Sequence, residues 1–405
     1  MVGDIKVLFV GLNYRYFNPT GSLLRTALSR GCEVHFFGPG FVSIETLRAG
    51  IAAFARSLNG VDLIVATKDI VYNDDPTRLN AWLRATTSSA APFTVTASVL
   101  QDINAFLKRH REKVVVSLLD VDVYAMPQRE IERILTLGSY VIGWGPGALD
   151  FSGDDGDIER EPFIRRKRAQ GLELGLYQQF LREHGDRVIN VGFFVGEHEF
   201  GWGGLETRPV DVCVPGVRYY RRTLAYNAVK ASGQFTLRQE RFRLLFQAAH
   251  RLGVRPWSSS YGTNVYNLDF HNLLVRSKVG ITDGGLINFT IRKFFEIPAA
   301  GAVLVCWPTR EFERLGFRDG VNCLYVATES DVVAAAQRVV DDPNGSQAIA
   351  SAGRELVLRR HSTTARGAQI HQAFQAILAG RFAGSHWEAG DFVVPAAPQA
   401  VSGVS

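Results

Sequence analysis

Short, unbroken apolar runs rich in β-branched residues recur along the chain, separated by longer stretches in which apolar positions return every third or fourth residue. Ile5 to Val10, Glu33 to Phe37, Leu63 to Ala66, Val114 to Leu119, Tyr140 to Trp144 and Val188 to Val195 are runs of the first kind. They predict strands buried on both faces, as in a parallel sheet. Between them, Ser22 to Ser29 (ended by Gly31), 43 to 58, Val99 to Arg109, Gln128 to Leu137 and Arg165 to His184 predict helices, with a polar loop through Asp74-Asp75-Pro76. The alternation resumes after the glycine-bearing stretch Gly196 to Pro209. Strands are predicted at Val210 to Val214, Val279 to Thr282, Ala302 to Trp307 and Cys323 to Val326. Helices are predicted near Arg238 to Leu252 and at Phe270 to Ser277, Asp331 to Val340 and Ser346 to Arg359, with a last one from Ser362 to Leu378. Two such series predict an α/β protein of two Rossmann-like domains.

The densest stretch lies between Lys278 and Pro308, where a strand, a glycine loop, a helix and a second strand follow one another. The first strand stops at Asp283-Gly284-Gly285. Thr290 is placed to cap the helix, and Arg292, Lys293 and Glu296 stand three and four apart on one face of its first turns. Two cations and a carboxylate beside a helix N-terminus, at the C-terminal end of a parallel strand, suit a diphosphate joined to a ribose: dipole and cations attract phosphate, and the carboxylate accepts sugar hydroxyls. Arg292 and Glu296 are equally an ordinary ion pair one helical turn apart.

The run T-x-R-x-x-F-E-I-x-A-A-G-A, here Thr290 to Ala302, resembles the donor-site signature of GT-B glycosyltransferases, closest to the CgeB-like (spore maturation protein-like) group. The resemblance extends from about Val210 to Ile370 and includes the turn Asp319-Gly320-Val321-Asn322. It implies two Rossmann-like domains facing across a cleft, with a C-terminal helix crossing back to the N-terminal domain. It also implies that Glu296 holds the nucleotide ribose. Gly216 and a basic residue beside it, Arg218 or Arg222, would approach the donor diphosphate, with Arg221 in the same loop. Tyr261-Gly262, on a strand-and-loop from Pro256, would wall the nucleobase. Gly284, Gly285, Asn288, Thr290, Arg292 and Lys293 complete the implied donor site. Asn288 stands where many retaining relatives carry a second glutamate, which leaves inversion and retention both open. The implied division is an acceptor-binding domain at 1–196, a hinge at 197–209, a donor domain at 210–365, a crossover helix at 366–380 and a flexible tail at 381–405.

In the N-terminal series, the loop Gly11-Leu12-Asn13-Tyr14 leaves a strand without phosphate-binding glycines, so Asn13 and Tyr14 are candidate acceptor-side residues. Asp120, Asp122 and Tyr124 leave the strand Val114 to Leu119. Asp122, or Asp120 on the same side of the strand, is a candidate base on the acceptor hydroxyl. Asp120-Val121-Asp122 also mimics a D-x-D metal site. The cations of the second series instead predict transfer without a metal, and no cofactor beyond the nucleotide-sugar co-substrate is expected.

At 405 residues, with 46% hydrophobic and 21% charged residues, the chain is long enough for two cores. Its net charge of +5 favours an anionic ligand without demanding nucleic acid, and allows a weak peripheral contact with anionic lipid. The four cysteines are scattered in apolar runs and read as reduced core residues of a cytoplasmic protein. No run reaches membrane-spanning length. The acidic stretch 150–161 predicts a mobile loop, Arg165 to Arg168 a basic turn, and 385–405, rich in Ala, Pro, Gly and Ser, disorder that Trp387 could escape by docking. The reading is a glycosyltransferase acting from a UDP-, GDP- or TDP-sugar on a small-molecule or glycoconjugate acceptor. A non-catalytic sugar-nucleotide-binding module, or an epimerase or hydrolase on the same fold, are the alternatives.

Overall fold

In the computed structural model, β1 (Lys6–Val10), β2 (Glu33–Phe37), β3 (Leu63–Thr67), β4 (Val114–Ser117), β5 (Tyr140–Gly143) and β6 (Val188–Asn190) form one sheet in the order β2-β1-β3-β4-β5-β6. Every pairing in it is parallel, as unbroken apolar runs demand: Val7, Leu8, Phe9 and Val10 are all buried. The structure describes residues 5–14, 20–71, 75–86, 93–119, 128–145, 175–216, 220–240, 245, 248–249, 252, 260–285 and 288–395.

Helices α1 (Thr20–Gly31), α2 (Ile44–Ala49), α3 (Ile51–Ser57), α4 (Lys68–Val71), α5 (Pro76–Thr86), α6 (Ala97–Arg109), α7 (Gln128–Leu137) and α8 (Leu176–His184) flank this sheet. The helix expected over 43–58 is broken into α2 and α3 because Gly50 adopts φ 86. The expected polar loop before Pro76 instead opens α5: Asp75 Oδ1 accepts the Thr77 and Arg78 backbone N–H groups, and Pro76 takes the first helical position, where no N–H is needed. The strand expected to run to Val195 ends at Asn190.

The second sheet, in the order β11-β10-β9-β7-β8, contains β7 (Val210–Cys213), β8 (Leu237–Arg238), β9 (Ser277–Thr282), β10 (Val303–Cys306) and β11 (Leu324–Tyr325). It too is parallel throughout. Around it lie α9 (Tyr220–Ser232), α10 (Ser260–Arg276), α11 (Lys293–Ala299), α12 (Glu329–Asp341) and α13 (Pro343–Arg360). Helix α14 (Thr363–Leu378) returns to the first sheet's side and packs along α1. The two helices approach closely because Gly31 and Gly367 face the contact, where a Cβ on either would run into the other helix's backbone. Among the described residues, no helix is long and apolar enough to cross a membrane.

Three further expectations change. Residues 260–262 start α10 instead of lying in a strand-and-loop; their Gly and Ser content reads as a turn, but burial of Leu273 and Leu274 further along fixes one long helix. The stretch 197–209, glycine-rich enough to read as a hinge, is anchored. Arg208 donates to the Ser277 and Ala300 carbonyls at 2.8 Å each, and Leu205 is buried. Part of the tail is also ordered: β12 (His386–Glu388) and β13 (Asp391–Val393) form a hairpin whose turn places Ala389 at φ 50 and Gly390 at φ 93. Its Trp387 is 2% exposed and donates through Nε1 to the Asn190 carbonyl at 2.8 Å. The expected loop 150–161, the basic turn at 165–168 and the end of the tail lie outside the described residues.

Trp387 packs tilted against His361 and edge-to-face against Phe392, and covers the buried Arg366 guanidinium at 5.0 Å. Trp387→Ala is therefore expected to lower unfolding free energy by about 3–5 kcal/mol, the usual range for an aromatic deleted from a core. Urea denaturation measures it, and a change below about 0.5 kcal/mol, as at an exposed site, would show an undocked hairpin.

Candidate active site

β7 neighbours both β8 and β9, so the order of connections reverses between β7 and β9. Open α/β sheets bind ligands beyond the C-terminal ends of the strands at such a reversal. The loop after β7 brings Gly216 there, and the loop after β9 brings Asp283, Gly284, Gly285 and Asn288.

Asp283 is 2% exposed. It accepts from Arg222 Nε at 2.7 Å and from the Gly285 N–H at 3.1 Å, so a buried ion pair holds the glycine loop to α9. Gly285 sits at φ 67 and Asn288 at φ 46, and the Phe289 N–H closes the turn on the Gly284 carbonyl at 2.8 Å. A Cβ on Gly284 would lie 2.6 Å from the Asn288 backbone, so the turn requires glycine there. The turn leaves the Asn288 Oδ1 buried with no hydrogen-bond partner among the described residues.

The cations expected to meet a diphosphate divide into two kinds. Arg222, 1% exposed, pairs with Asp283 and holds the loop. Arg292 is likewise paired, its guanidinium bonded to Glu296 one turn on and to both carboxylate oxygens of Glu199. Glu199 also accepts the Gly196 N–H at 2.6 Å, so the connecting segment is tied to the start of α11. Burial opposes the Arg292 charge, but the two carboxylates outweigh it and hold the guanidinium's pKa above its ordinary value. Burial also pushes the Glu296 carboxyl upward, against Arg292 and Lys293. The Arg292–Glu296 ion pair is therefore present, with Glu199 as a third member.

Lys293 differs. Among the described residues, no hydrogen bond or ion pair holds its ammonium; its partner is the Phe270 ring, 6.0 Å from Nζ. Gly216, at φ 74, makes room for it, because a Cβ there would lie 2.8 Å from Nζ. Burial, then the neighbouring Arg222 charge, pull the ammonium's pKa down to about 8, while Glu296 and Glu240 act the other way. The Gly216 N–H points at Glu240 instead of into the crevice.

Thr290 does not cap the helix: Arg292 occupies that position, and the Thr290 hydroxyl bonds that of Thr309. Tyr261 lies in the first turn of α10, and its side chain, with all of Arg218, Asp120, Asp122 and Tyr124, is outside the described residues. Asn13 is exposed and donates to the Gly40 carbonyl at 3.0 Å, and Tyr14 donates to Asp69 Oδ2 at 2.9 Å. Glu199, Glu240 and Asp69 were not singled out from sequence, because each meets partners from distant segments that no local spacing marks. Among the described residues, no cluster of three or more His, Cys, Asp or Glu is arranged to hold a metal.

The C-terminal edges of the two sheets meet. Trp144, after β5, and Phe193, after β6, pack against Phe289 of the glycine loop with ring centroids 4.9 and 5.6 Å away. The glycine loop that carries Asn288 and Phe289 therefore lies against the N-terminal sheet.

Residues 234–372 match the family model described as glycosyl transferase-like. No curated protein matches the chain by sequence. Among solved structures, HepE of Anabaena in complex with UDP and glucose is 13% identical, with a TM-score of 0.47 over 92% of this chain and 100% of that one. Sucrose-phosphate synthase of Thermosynechococcus elongatus is 13% identical, with a TM-score of 0.49 over 93% and 100%. A glycosyltransferase of Rickettsia africae is 11% identical, with a TM-score of 0.47 over 92% and 98%. Two parallel α/β units with a returning C-terminal helix make up the GT-B arrangement, and the C-terminal unit carries the glycosyl transferase-like region.

Arg222→Met is expected to destabilise the unliganded protein by about 3–5 kcal/mol, since it leaves Asp283 buried and unpaired. Chemical denaturation reads this directly. An unliganded fold as stable as the parent would mean that Arg222 is held in reserve for a ligand.

Proposed function

We propose that the chain is a glycosyltransferase that moves a sugar from a nucleoside-diphosphate sugar to an acceptor hydroxyl or amine in the cleft between its units. The observation that carries this reading is Lys293, a half-buried ammonium without an anionic partner among the described residues, seated at a strand-order reversal beside the start of α11. Such a cation attracts a diphosphate and stabilises the negative charge that develops as the diphosphate leaves. The orphaned Asn288 Oδ1 of the glycine loop is an acceptor for a hydroxyl of the donor. Glu296, on the next turn of α11, is the proposed ribose ligand, reached by partial exchange of its bond with Arg292.

The glycosyl transferase-like match over 234–372 supports the reaction class, and the run Thr290 to Ala302 supports a place near the CgeB-like group. On this reading residues 1–196 bind the acceptor and 210–365 the donor. Arg218 is a further proposed diphosphate ligand and Tyr261 a base-stacking one. Lys293 supplies positive charge where a metal would otherwise be needed, so transfer is proposed to proceed without one. The four cysteines are buried and form no disulfide, which fits the reducing cytosol.

The free enzyme keeps Lys293 protonated below its pKa of about 8 and loses the charge above it, whereas bound diphosphate favours the ammonium. Affinity for UDP, GDP or TDP in calorimetry is therefore expected to be level below about pH 8. Above it, affinity falls by up to about tenfold per pH unit, the limit for one linked proton. Lys293→Gln is expected to remove that slope and weaken binding by about 1.5–3 kcal/mol. A pH-independent affinity that the variant leaves unchanged would remove Lys293 and the reading with it.

Glu296→Gln is expected to weaken the same ligand by about 1–3 kcal/mol, and unchanged affinity would take Glu296 off the ribose. Donor turnover in excess chelator is expected to persist; loss restored by Mn²⁺ or Mg²⁺ would reverse the metal assignment. Donor binding without turnover to any acceptor or to water would leave a binding module.

A further inference from the structure

The N-terminal sheet has its own reversal of strand order. β1 pairs with β2 on one side and β3 on the other, so the C-terminal ends of β1 and β3 frame a second crevice. Tyr14 leaves the first strand, and Thr67 and Asp69 lie at the end of the second. The two loops close up because position 11 is glycine: a Cβ there would lie 2.9 Å from the Thr67 hydroxyl oxygen. That oxygen is buried without a hydrogen-bond partner among the described residues. Tyr14 donates its hydroxyl proton to Asp69 Oδ2 at 2.9 Å and fixes the carboxyl's orientation. Asp69 is 7% exposed. Its burial raises the carboxyl's pKa, while Lys68 on its own helix, Tyr14 and Arg25 on α1 favour the ionised form. A dry carboxylate moved toward neutral pH is a stronger base than one in water. Its crevice lies on the edge of the sheet that meets the donor unit through Trp144, Phe193 and Phe289.

We infer that Asp69 is the general base of an inverting transfer and that Tyr14 positions it. This role rests on the transferase reading. The acceptor's O–H proton passes to Asp69, the freed oxygen electron pair forms the bond to the anomeric carbon, and the bond from that carbon to the diphosphate oxygen breaks. The nucleoside diphosphate leaves with that electron pair, and Asp69 afterwards returns its proton to water. Thr67 Oγ1 is placed to hydrogen-bond the acceptor hydroxyl as it approaches. Asp120 and Asp122 compete for the same role from sequence alone.

The test compares the parent with Asp69→Asn, Tyr14→Phe and Asp122→Asn, following nucleoside-diphosphate release from a nucleotide sugar across pH and the anomeric configuration of the product. In the parent, the rate should rise with pH through the Asp69 titration, because the base works deprotonated. Asp69→Asn should lower turnover about 10²-fold or more, flatten that limb and leave calorimetric affinity for the diphosphate within about twofold. Tyr14→Phe should keep the fold and move the limb to higher pH, since the lost bond favoured the carboxylate. Asp122→Asn should leave the limb in place. Normal turnover by Asp69→Asn, an unmoved limb in Tyr14→Phe, loss of the limb in Asp122→Asn, or product with retained configuration would each overturn the assignment. If those outcomes occur while the parent transfers sugar, the transferase reading stands. A parent that binds and turns over no donor overturns both.

Discussion

Asp283 lies at the dry end of β9 because Arg222 lies against it, and most of the candidate site depends on that pair. The charges cost several kcal/mol each to remove from water and are tolerated only in each other's presence. The pair fixes the glycine loop, since the same Asp283 oxygen that meets Arg222 also accepts the Gly285 N–H. The loop sets Asn288 in a left-handed conformation with its side-chain oxygen unpartnered, and carries Phe289 to the other sheet. Arg222 also acts at a distance, as one cause of the depressed pKa of Lys293. A structural ion pair thus tunes the cation proposed for binding.

The same rule of pairing runs through the junction between the units. Glu197 accepts from Thr363 and from the Thr364 N–H at the start of α14, and from Arg30 of α1. Glu199 takes Arg292. The two carboxylates stand two residues apart in the segment between the sheets, so that segment is tied to α14 and α1 through one and to the start of α11 through the other. Arg208 and Arg366 differ, being buried guanidiniums without a carboxylate partner among the described residues; Arg208 is held by carbonyls, and Arg366 is fully buried. Arg366 is held between the Phe194 and Trp387 rings and donates to the Phe193 carbonyl at 3.1 Å. Burial drives its pKa down to about 9, so covering this charge with aromatic faces and a carbonyl is part of what the hairpin does. These contacts fix how the two sheets are placed, and both proposed roles, for Lys293 and for Asp69, need that placement.

Much of the fold was legible. The strands at Glu33 to Phe37 and Leu63 to Ala66, the helix Gln128 to Leu137 and the β-α-β unit around Asp283 were read from apolar runs and period, and they are present. Errors fell where a local rule met a distant partner. Gly262 reads as a turn but lies in α10; Thr290 reads as a cap but bonds Thr309; the polar tail reads as disordered, but Trp387 reaches Asn190 across the chain.

The sequence by itself determined the α/β class of the protein and marked the stretch proposed for its donor-side chemistry. Burial on both faces of a parallel sheet leaves a pattern in neighbouring residues, and glycine, lysine and glutamate at helical spacing leave another. Which charges remain for a ligand was decided only by tertiary structure. Arg222, Arg292 and Lys293 are alike as cations in the sequence, yet Asp283 and Glu199, brought from elsewhere in the chain, pair with the first two and leave the third. The Asp69–Tyr14 contact has the same origin: two loops far apart in sequence come together because β1 and β3 are neighbours, and no local spacing encodes that adjacency.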